Sequence, residues 1–229
     1  MNVNSNGYTF GFAGVMVILV AAILSFTAIS LKDRQKKNID LEIKQNILRS
    51  IGVQVERSEA DKAFDDYIKR SLVVKNNQPV EGIDALSVNL ADEIKKRPED
   101  RLNPLFVAEK EGQKFYIIPL RGKGLWGPIW GYIALMDDIE TVYGVTFDHK
   151  SETPGLGAEI NTAGFQSQFR NKKIMRSGEF VSIEVRKGDA SGDHQVNGIS
   201  GGTITSVGVD AMLRDILANY VEFLKSGNI

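Results

Sequence analysis

The chain opens on an unbroken apolar stretch. From Met1 to Leu31 no side chain is charged, and Tyr8 through Leu31 is dominated by Phe, Ala, Val, Ile and Leu. About 20 such residues cross a bilayer core as a helix. The pattern predicts a single membrane anchor at 1–31, with 8–31 spanning. A cleaved signal peptide, with Ala28-Ile29-Ser30 as its small-residue site, is the competing reading, and it fits less well because a basic leader is absent and the apolar run is long. Past the span, Ile39, Ile43, Ile47 and Ile51 recur four residues apart, so the helix is expected to continue as a stalk over 32–56, broken at Gly52.

A folded domain is expected over 57–229. Ser58-Glu59-Ala60-Asp61 resembles a capping box opening a helix through about Ser71. Asn76-Asn77-Gln78-Pro79 reads as a turn, and Ser87 to Lys96 as a short helix stopped by Pro98. Strands follow. Leu105–Glu109 and Lys114–Pro119 form a hairpin about Glu111-Gly112, Ile129–Met136 and Val142–Asp148 add two more strands, and Val181–Arg186 adds another. Val209, Leu213, Ile216, Leu217, Tyr220, Val221 and Leu224 then set a helical period over Ser206–Lys225, with Gly227 as its stop. Helices, clustered strands and a closing helix predict an α+β fold with a mostly antiparallel or mixed sheet.

Composition narrows the chemistry. Formal net charge is −1 and no block of like charge appears, which argues against a nucleic-acid partner. The chain has no cysteine, so disulfides, thiolate metal sites, iron–sulfur ligation and a cysteine nucleophile are excluded. His149 and His194 lack metal-ligand spacing and read as surface or packing residues. Asp137-Asp138 reads as a solvated turn. The Asp189–Asp193 loop lacks the later glutamate of a calcium-binding loop. No metal site and no catalytic residue are predicted.

The most informative residues are Ser200-Gly201-Gly202-Thr203, a small-residue turn closing on a hydroxyl just before a helix. Glycines let backbone N–H groups approach an anion, and the helix N-terminus adds a favourable dipole. By itself the turn is weak evidence, and a plain strand-to-helix loop is the better reading of it. Upstream lie Gly122-Lys123-Gly124-Leu125-Trp126-Gly127-Pro128-Ile129-Trp130-Gly131-Tyr132-Ile133 and Glu152-Thr153-Pro154-Gly155-Leu156-Gly157. Gly155-Leu156-Gly157 lacks the third glycine of a dinucleotide loop, so NADH is not expected to bind here.

These three blocks, in this order, resemble the FMN-binding C subunits of bacterial sodium-translocating NADH:quinone reductases, and the resemblance runs over nearly the whole chain. The E-T-P-G-L-G block is its most specific piece. In that family the flavin phosphate is esterified to the threonine closing a D-x-x-[ST]-G-A-T motif, which carries over to Thr203, preceded by Ser200, Gly201 and Gly202. Asn197 stands where the family has Asp, and Gly202 where it has Ala. The neighbouring hydroxyls Thr205 and Ser206 lack the preceding small-residue run.

The resemblance implies covalent FMN as cofactor, attached by a separate magnesium-dependent flavin transferase that uses FAD. Glu152, Thr153, Pro154, Gly155, Leu156 and Gly157 would lie along the flavin ring: Pro154 stiffens the turn, Thr153 offers a donor and Leu156 an apolar contact. Trp126 either covers a flavin face or, like Trp130, is a core or interface aromatic. Lys123 either meets the phosphate or is a solvated loop charge. The implied function is that of an electron carrier, not catalytic alone, among the other subunits of a complex that oxidises NADH, reduces quinone and exports sodium. The related G subunit of Rnf-type ferredoxin:NAD oxidoreductases shares the threonine motif and stands as an alternative, as does a non-redox membrane-anchored assembly module. Family likeness implies a single-pass protein of the inner membrane with its domain on the periplasmic side. Lys32, Arg34, Lys36 and Lys37 just after the span favour the cytoplasmic side instead.

Overall fold

A computed structural model describes residues 5–227, so the extreme ends of the predicted anchor and domain lie outside the described residues. Helix α1 runs from Asn6 to Ser50. It carries an 18-residue window of mean hydropathy 2.6 with none of it buried, and among the described residues it is the one helix long and apolar enough to cross a membrane. Packing divides the chain into a unit ending at Glu42 and a second beginning at Ile43. The isoleucine period explains the start of the second unit. Ile47 and Ile51 are wholly buried with Leu48, and Gly52 turns the chain at φ +71°.

The second unit is built on a meander. After α2 (Ala60–Tyr67) come β1 (Ile68–Lys75), β2 (Gln78–Val80), α3 (Leu90–Glu93), β3 (Asn103–Lys110), β4 (Gln113–Lys123), β5 (Pro128–Met136) and β6 (Val142–His149). Strands β1 to β6 form one antiparallel sheet in the order β2-β1-β3-β4-β5-β6. Short elements follow: α4 (Ala163–Gln166), the hairpin β7 (Met175–Arg176) and β8 (Glu179–Phe180), and β9 (Glu184–Arg186) paired in parallel with β10 (Gln195–Asn197). Helices α5 (Thr203–Ala218) and α6 (Val221–Lys225) close the chain. The α+β architecture agrees with the expected class.

Alternation along the strands gives the sheet two apolar faces. Ile118, Leu120, Ile129 and Ile133 pack against Val209, Met212, Leu213 and Ile216 of α5. Phe106, Phe115, Ile117 and Ala134 face the other way, onto Ile47, Leu48 and Ile51 of α1 and Phe64 of α2.

Five expectations need correcting. The second helix stops at Tyr67, not near Ser71, because Ile68–Lys75 pairs with β3, setting Ser71 against Phe106 and Leu72 against Leu105. Cross-strand burial outweighs the weak helical period there. Its capping box is not formed either: Ser58 lies in a 3-10 turn, Arg57–Glu59, and the helix has no side-chain cap. The helix expected over 87–96 splits into a 3-10 turn at Ala85–Ser87, capped by Asp84, and α3, capped by Asn89, with Val88 extended between them. The strand expected over 181–186 shrinks to β9, since Ser182 sits at φ +64°. The closing helix begins at Thr203 rather than Ser206 and breaks at Asn219-Tyr220.

Tyr220 is the largest of the wholly buried side chains, and its hydroxyl donates to the Pro104 carbonyl at 2.8 Å. Burial pushes its pKa far above the usual tyrosine value. Tyr220→Phe strands a buried carbonyl and is expected to lower stability by about 1–2 kcal/mol, read as an earlier urea midpoint with an unchanged slope.

Candidate functional site

Three segments far apart in sequence meet at the carboxylate of Glu152, which is 5% exposed. One oxygen accepts the backbone N–H of Trp126 at 2.9 Å, and the other accepts the hydroxyl of Thr205 at 2.6 Å. The Glu152 backbone N–H donates to Nδ1 of His149 at 3.1 Å. One side chain thus ties the turn after β4, the loop after β6 and the first turn of α5 together. The turn is tight, with Gly124 N–H donating to Gly127 O at 2.8 Å. A Cβ on Gly124 would come within 2.5 Å of Glu152 Oε1, and one on Gly157 would strike both Glu152 and the Thr205 hydroxyl. Both glycines are required by how closely the segments approach the carboxylate.

The E-T-P-G-L-G loop folds back on itself. Leu156 and Ala158 N–H groups both donate to the Thr153 carbonyl, at 3.1 and 3.2 Å, and Gly155 turns at φ +75° with its N–H on Glu159 Oε1 at 3.0 Å. This lays Leu156 against the second glycine-rich turn, where a Cβ on Gly201 would come within 2.6 Å of Leu156 Cδ2. Thr153 and Pro154 sit on the exposed outer edge of the loop.

At the Ser200–Thr203 turn, Gly201 adopts φ +75° and α5 starts without a side-chain cap on Gly202. Burial sorts the hydroxyls. Thr205 is 1% exposed and committed to Glu152. Ser206 is buried, donates to the Gly202 carbonyl at 3.0 Å and accepts the Ile199 N–H at 2.9 Å. Ser200 and Thr203 are exposed and line a cleft of about 330 Å³.

Across that cleft stand Arg186, Lys187 and Gly188, residues that the sequence reading did not single out. They arrive there because β9 pairs in parallel with β10, setting Arg186 beside Asn197, and because Gly198 N–H donates to Arg186 O at 2.6 Å. A basic pair before a glycine turn, R-K-G-D, was the only local signal, and its placement depends on a non-local pairing. Asn197 itself is held, its Oδ1 accepting the Ala190 N–H at 2.9 Å.

The remaining candidates fall outside the cleft. Trp126 is 64% exposed and therefore not a core aromatic; Leu125, Leu156, Ile204 and Val207 are exposed on the same three segments. Trp130 is half-buried on the other face of the sheet, under Arg121. The Lys123 side chain is exposed. His149 has a packing role at Glu152, and His194 Nδ1 lies 2.7 Å from the Lys173 carbonyl.

Residues 124–218 match the FMN-binding domain family. The C subunit of the Na(+)-translocating NADH-quinone reductase of Vibrio alginolyticus is 30% identical over 221 residues, covering 88% of this chain and 86% of that protein. Its Vibrio campbellii counterpart is 32% identical over 225 residues, with coverage of 88% and 86%. The chain belongs to this NqrC family. A crystal structure of the Parabacteroides distasonis member superposes with a TM-score of 0.80 at 47% identity, covering 86% of this chain and 98% of that one. Shewanella oneidensis NqrC shares the fold at 23% identity and a TM-score of 0.69, covering 82% of this chain and 98% of that one. Within this NqrC-family chain, the region matched to the FMN-binding domain runs from Gly124 at the Glu152 junction to Ala218 at the end of α5.

The junction makes a direct prediction. Glu152→Ala leaves the Trp126 N–H and the Thr205 hydroxyl without their acceptor. It is expected to cost about 3 kcal/mol or more, seen as an earlier denaturation midpoint and as faster hydrogen exchange at Trp126. Glu152→Gln, which keeps an acceptor for one of the two donors, should lose less.

Proposed function

We propose that this chain is the membrane-anchored FMN carrier of a sodium-translocating NADH:quinone reductase, with FMN attached through a phosphoester to Thr203. The observation that carries the reading is the sorting of hydroxyls. Thr205 and Ser206 are buried and bonded, whereas Thr203 stands exposed at the first position of α5 beside a cleft with a basic flank. The family motif then selects Thr203 over Ser200.

The site fits a flavin phosphate. Arg186 and Lys187 supply positive charge, and the start of α5 supplies unpaired amides and a favourable dipole. Leu156 and Trp126 offer apolar surface for the ring, and Glu152 holds both segments in place from beneath. FMN, when bound, supplies one- and two-electron redox chemistry. Tethering retains it while leaving the ring open to electron exchange with neighbouring redox subunits.

Attachment needs an outside enzyme. Among the described residues no base hydrogen-bonds the Thr203 hydroxyl, so a flavin transferase using FAD supplies the activation. The Vibrio and Parabacteroides relatives are all C subunits, which favours this reading over the Rnf-type G subunit. A purified protein expressed with its transferase should show a flavin absorbance spectrum and run as a fluorescent band on a denaturing gel. Thr203→Val should abolish the band with folding retained. A colourless protein would favour the assembly-module reading, and a band lost only in Ser200→Ala would move the linkage.

Residues 8–31 span the membrane in this reading; the stalk expected over 32–56 is shortened to 32–42, because the packed domain already begins at Ile43. We place the protein in the inner membrane with the domain on the periplasmic side. There a dissociated flavin would be lost from the cell, so covalent retention has most value, and a chain without cysteine is compatible with an oxidising compartment. The basic flank at Lys32, Arg34, Lys36 and Lys37 opposes this orientation. Alkaline phosphatase fused after Ile229 should be active and a cytoplasm-dependent fluorescent protein dark; the reverse pattern would place the domain inside.

A further inference from the structure

On the sheet face turned away from Thr203, β4 and β5 set Arg121 directly opposite Trp130. The guanidinium lies over the indole, 5.5 Å from the ring centre. Such stacking steadies one face of the group and satisfies none of its five N–H donors. No carboxylate and no hydrogen-bond acceptor meets the half-buried Arg121 among the described residues, whereas the buried Arg101 is paired with Asp215 at 2.9 Å and with two backbone carbonyls. Burial alone acts on the Arg121 group, lowering its pKa from the ordinary arginine value with no anion to offset it.

The unpaired cation stands at a groove of about 330 Å³. The other walls are mostly apolar, with Ile43 from α1, Leu86 and Leu90 from the segment before β3, and Phe106 from β3, while Ser87 and Asn89 add polar edges. A charge half-withdrawn from water beside aliphatic and aromatic surface is costly unless an anion completes it. A compact groove with apolar walls and one placed charge is the usual form of a small-ligand site.

We propose that this groove binds a single-chain anionic amphiphile, its carboxylate or phosphate head on Arg121 and its apolar body between Leu86, Leu90 and Phe106. Trp130 holds the guanidinium flat for a two-pronged contact with the head. Ile43 makes the end of α1 part of the wall, so occupancy would brace the packing of that end on the sheet. The chemistry is shared by a soluble alkyl phosphate or fatty acid and by the headgroup of an anionic bilayer lipid. The site shares no wall with the Thr203 cleft, and the proposal stands whether or not Thr203 carries flavin.

The test uses the full flavin-loaded chain in phosphatidylcholine nanodiscs, titrated calorimetrically with octyl phosphate and, for comparison, octanol. Wild type is expected to bind octyl phosphate saturably, one per chain, above the partitioning background of empty discs, and octanol about tenfold more weakly. Arg121→Gln should lose about tenfold in affinity for octyl phosphate and none for octanol, while Arg121→Lys keeps part of the difference. Ala91→Trp, which fills the groove with Arg121 intact, should abolish binding. An unchanged thermal midpoint shows that each variant folds. Adding phosphatidylglycerol to the discs separates the sources: competition with octyl phosphate assigns the ligand to the bilayer, and its absence assigns it to a soluble amphiphile. Non-saturable uptake by wild type, or equal affinity in Arg121→Gln, would overturn the site.

Discussion

The carboxylate of Glu152 is the constraint on which the rest of the candidate site depends. A carboxyl group removed from water has to be repaid by donors that already face it. Here the donors are a backbone N–H from the turn after β4 and a threonine hydroxyl from the first turn of α5. Neither segment is near the other in sequence. Glycine at positions 124 and 157 follows from the same bond set, because a Cβ at either would occupy the space of the carboxylate. The conspicuous motif of this chain is therefore two things in one: Glu152 is a buried fastener, and Thr153 to Leu156 are the surface that the fastener presents.

That arrangement separates two demands that usually conflict. A redox cofactor needs a fixed position and an open edge. Position is set underneath, by Glu152, by Ser206 bridging Ile199 and Gly202, and by the packing of α5 on β4. The open edge is set above, where Thr203, Leu156 and Trp126 remain exposed. Thr205 and Thr203 stand two residues apart in one helical turn and so point to different sides. One is consumed in holding the site together, and the other is left exposed at the cleft.

What could be read from sequence divides along the same line. Alternating apolar residues made β3 to β6 legible, and the three- and four-residue period made α5 legible, because in each the burial pattern is local. Strand β1 was not, since Ile68–Lys75 carries polar residues at its start and becomes a strand only through pairing with β3. The parallel pairing of β9 with β10 left no local trace, and with it went the basic flank of Arg186 and Lys187. The resemblance implies a flavin contact for Glu152, and in the structure the residue is a buried acceptor beneath the candidate site. Burial of a carboxylate cannot be read from a motif. The isolation of Arg121 was equally hidden, because only the fold shows which acceptors are absent from its side of the sheet.

The sheet also explains why the end of α1 cannot be treated as a mere tether. Ile47, Leu48 and Ile51 are 0% exposed and fill one face of the strands whose opposite face supports α5. Each such side chain contributes about 1.5–3 kcal/mol when fully buried, so together they represent a large part of the roughly 5–15 kcal/mol that separates a folded domain from its unfolded state. Residues 43–51 therefore belong to the folding unit of the candidate flavin site. The strand that carries Arg121 on one face also carries Leu120 against α5 on the other, so both faces bear on the same backbone. A break before Ile43 leaves that core complete, whereas a break after Ile51 exposes Phe106, Phe115 and Ile117 to water and removes the support from beneath β4.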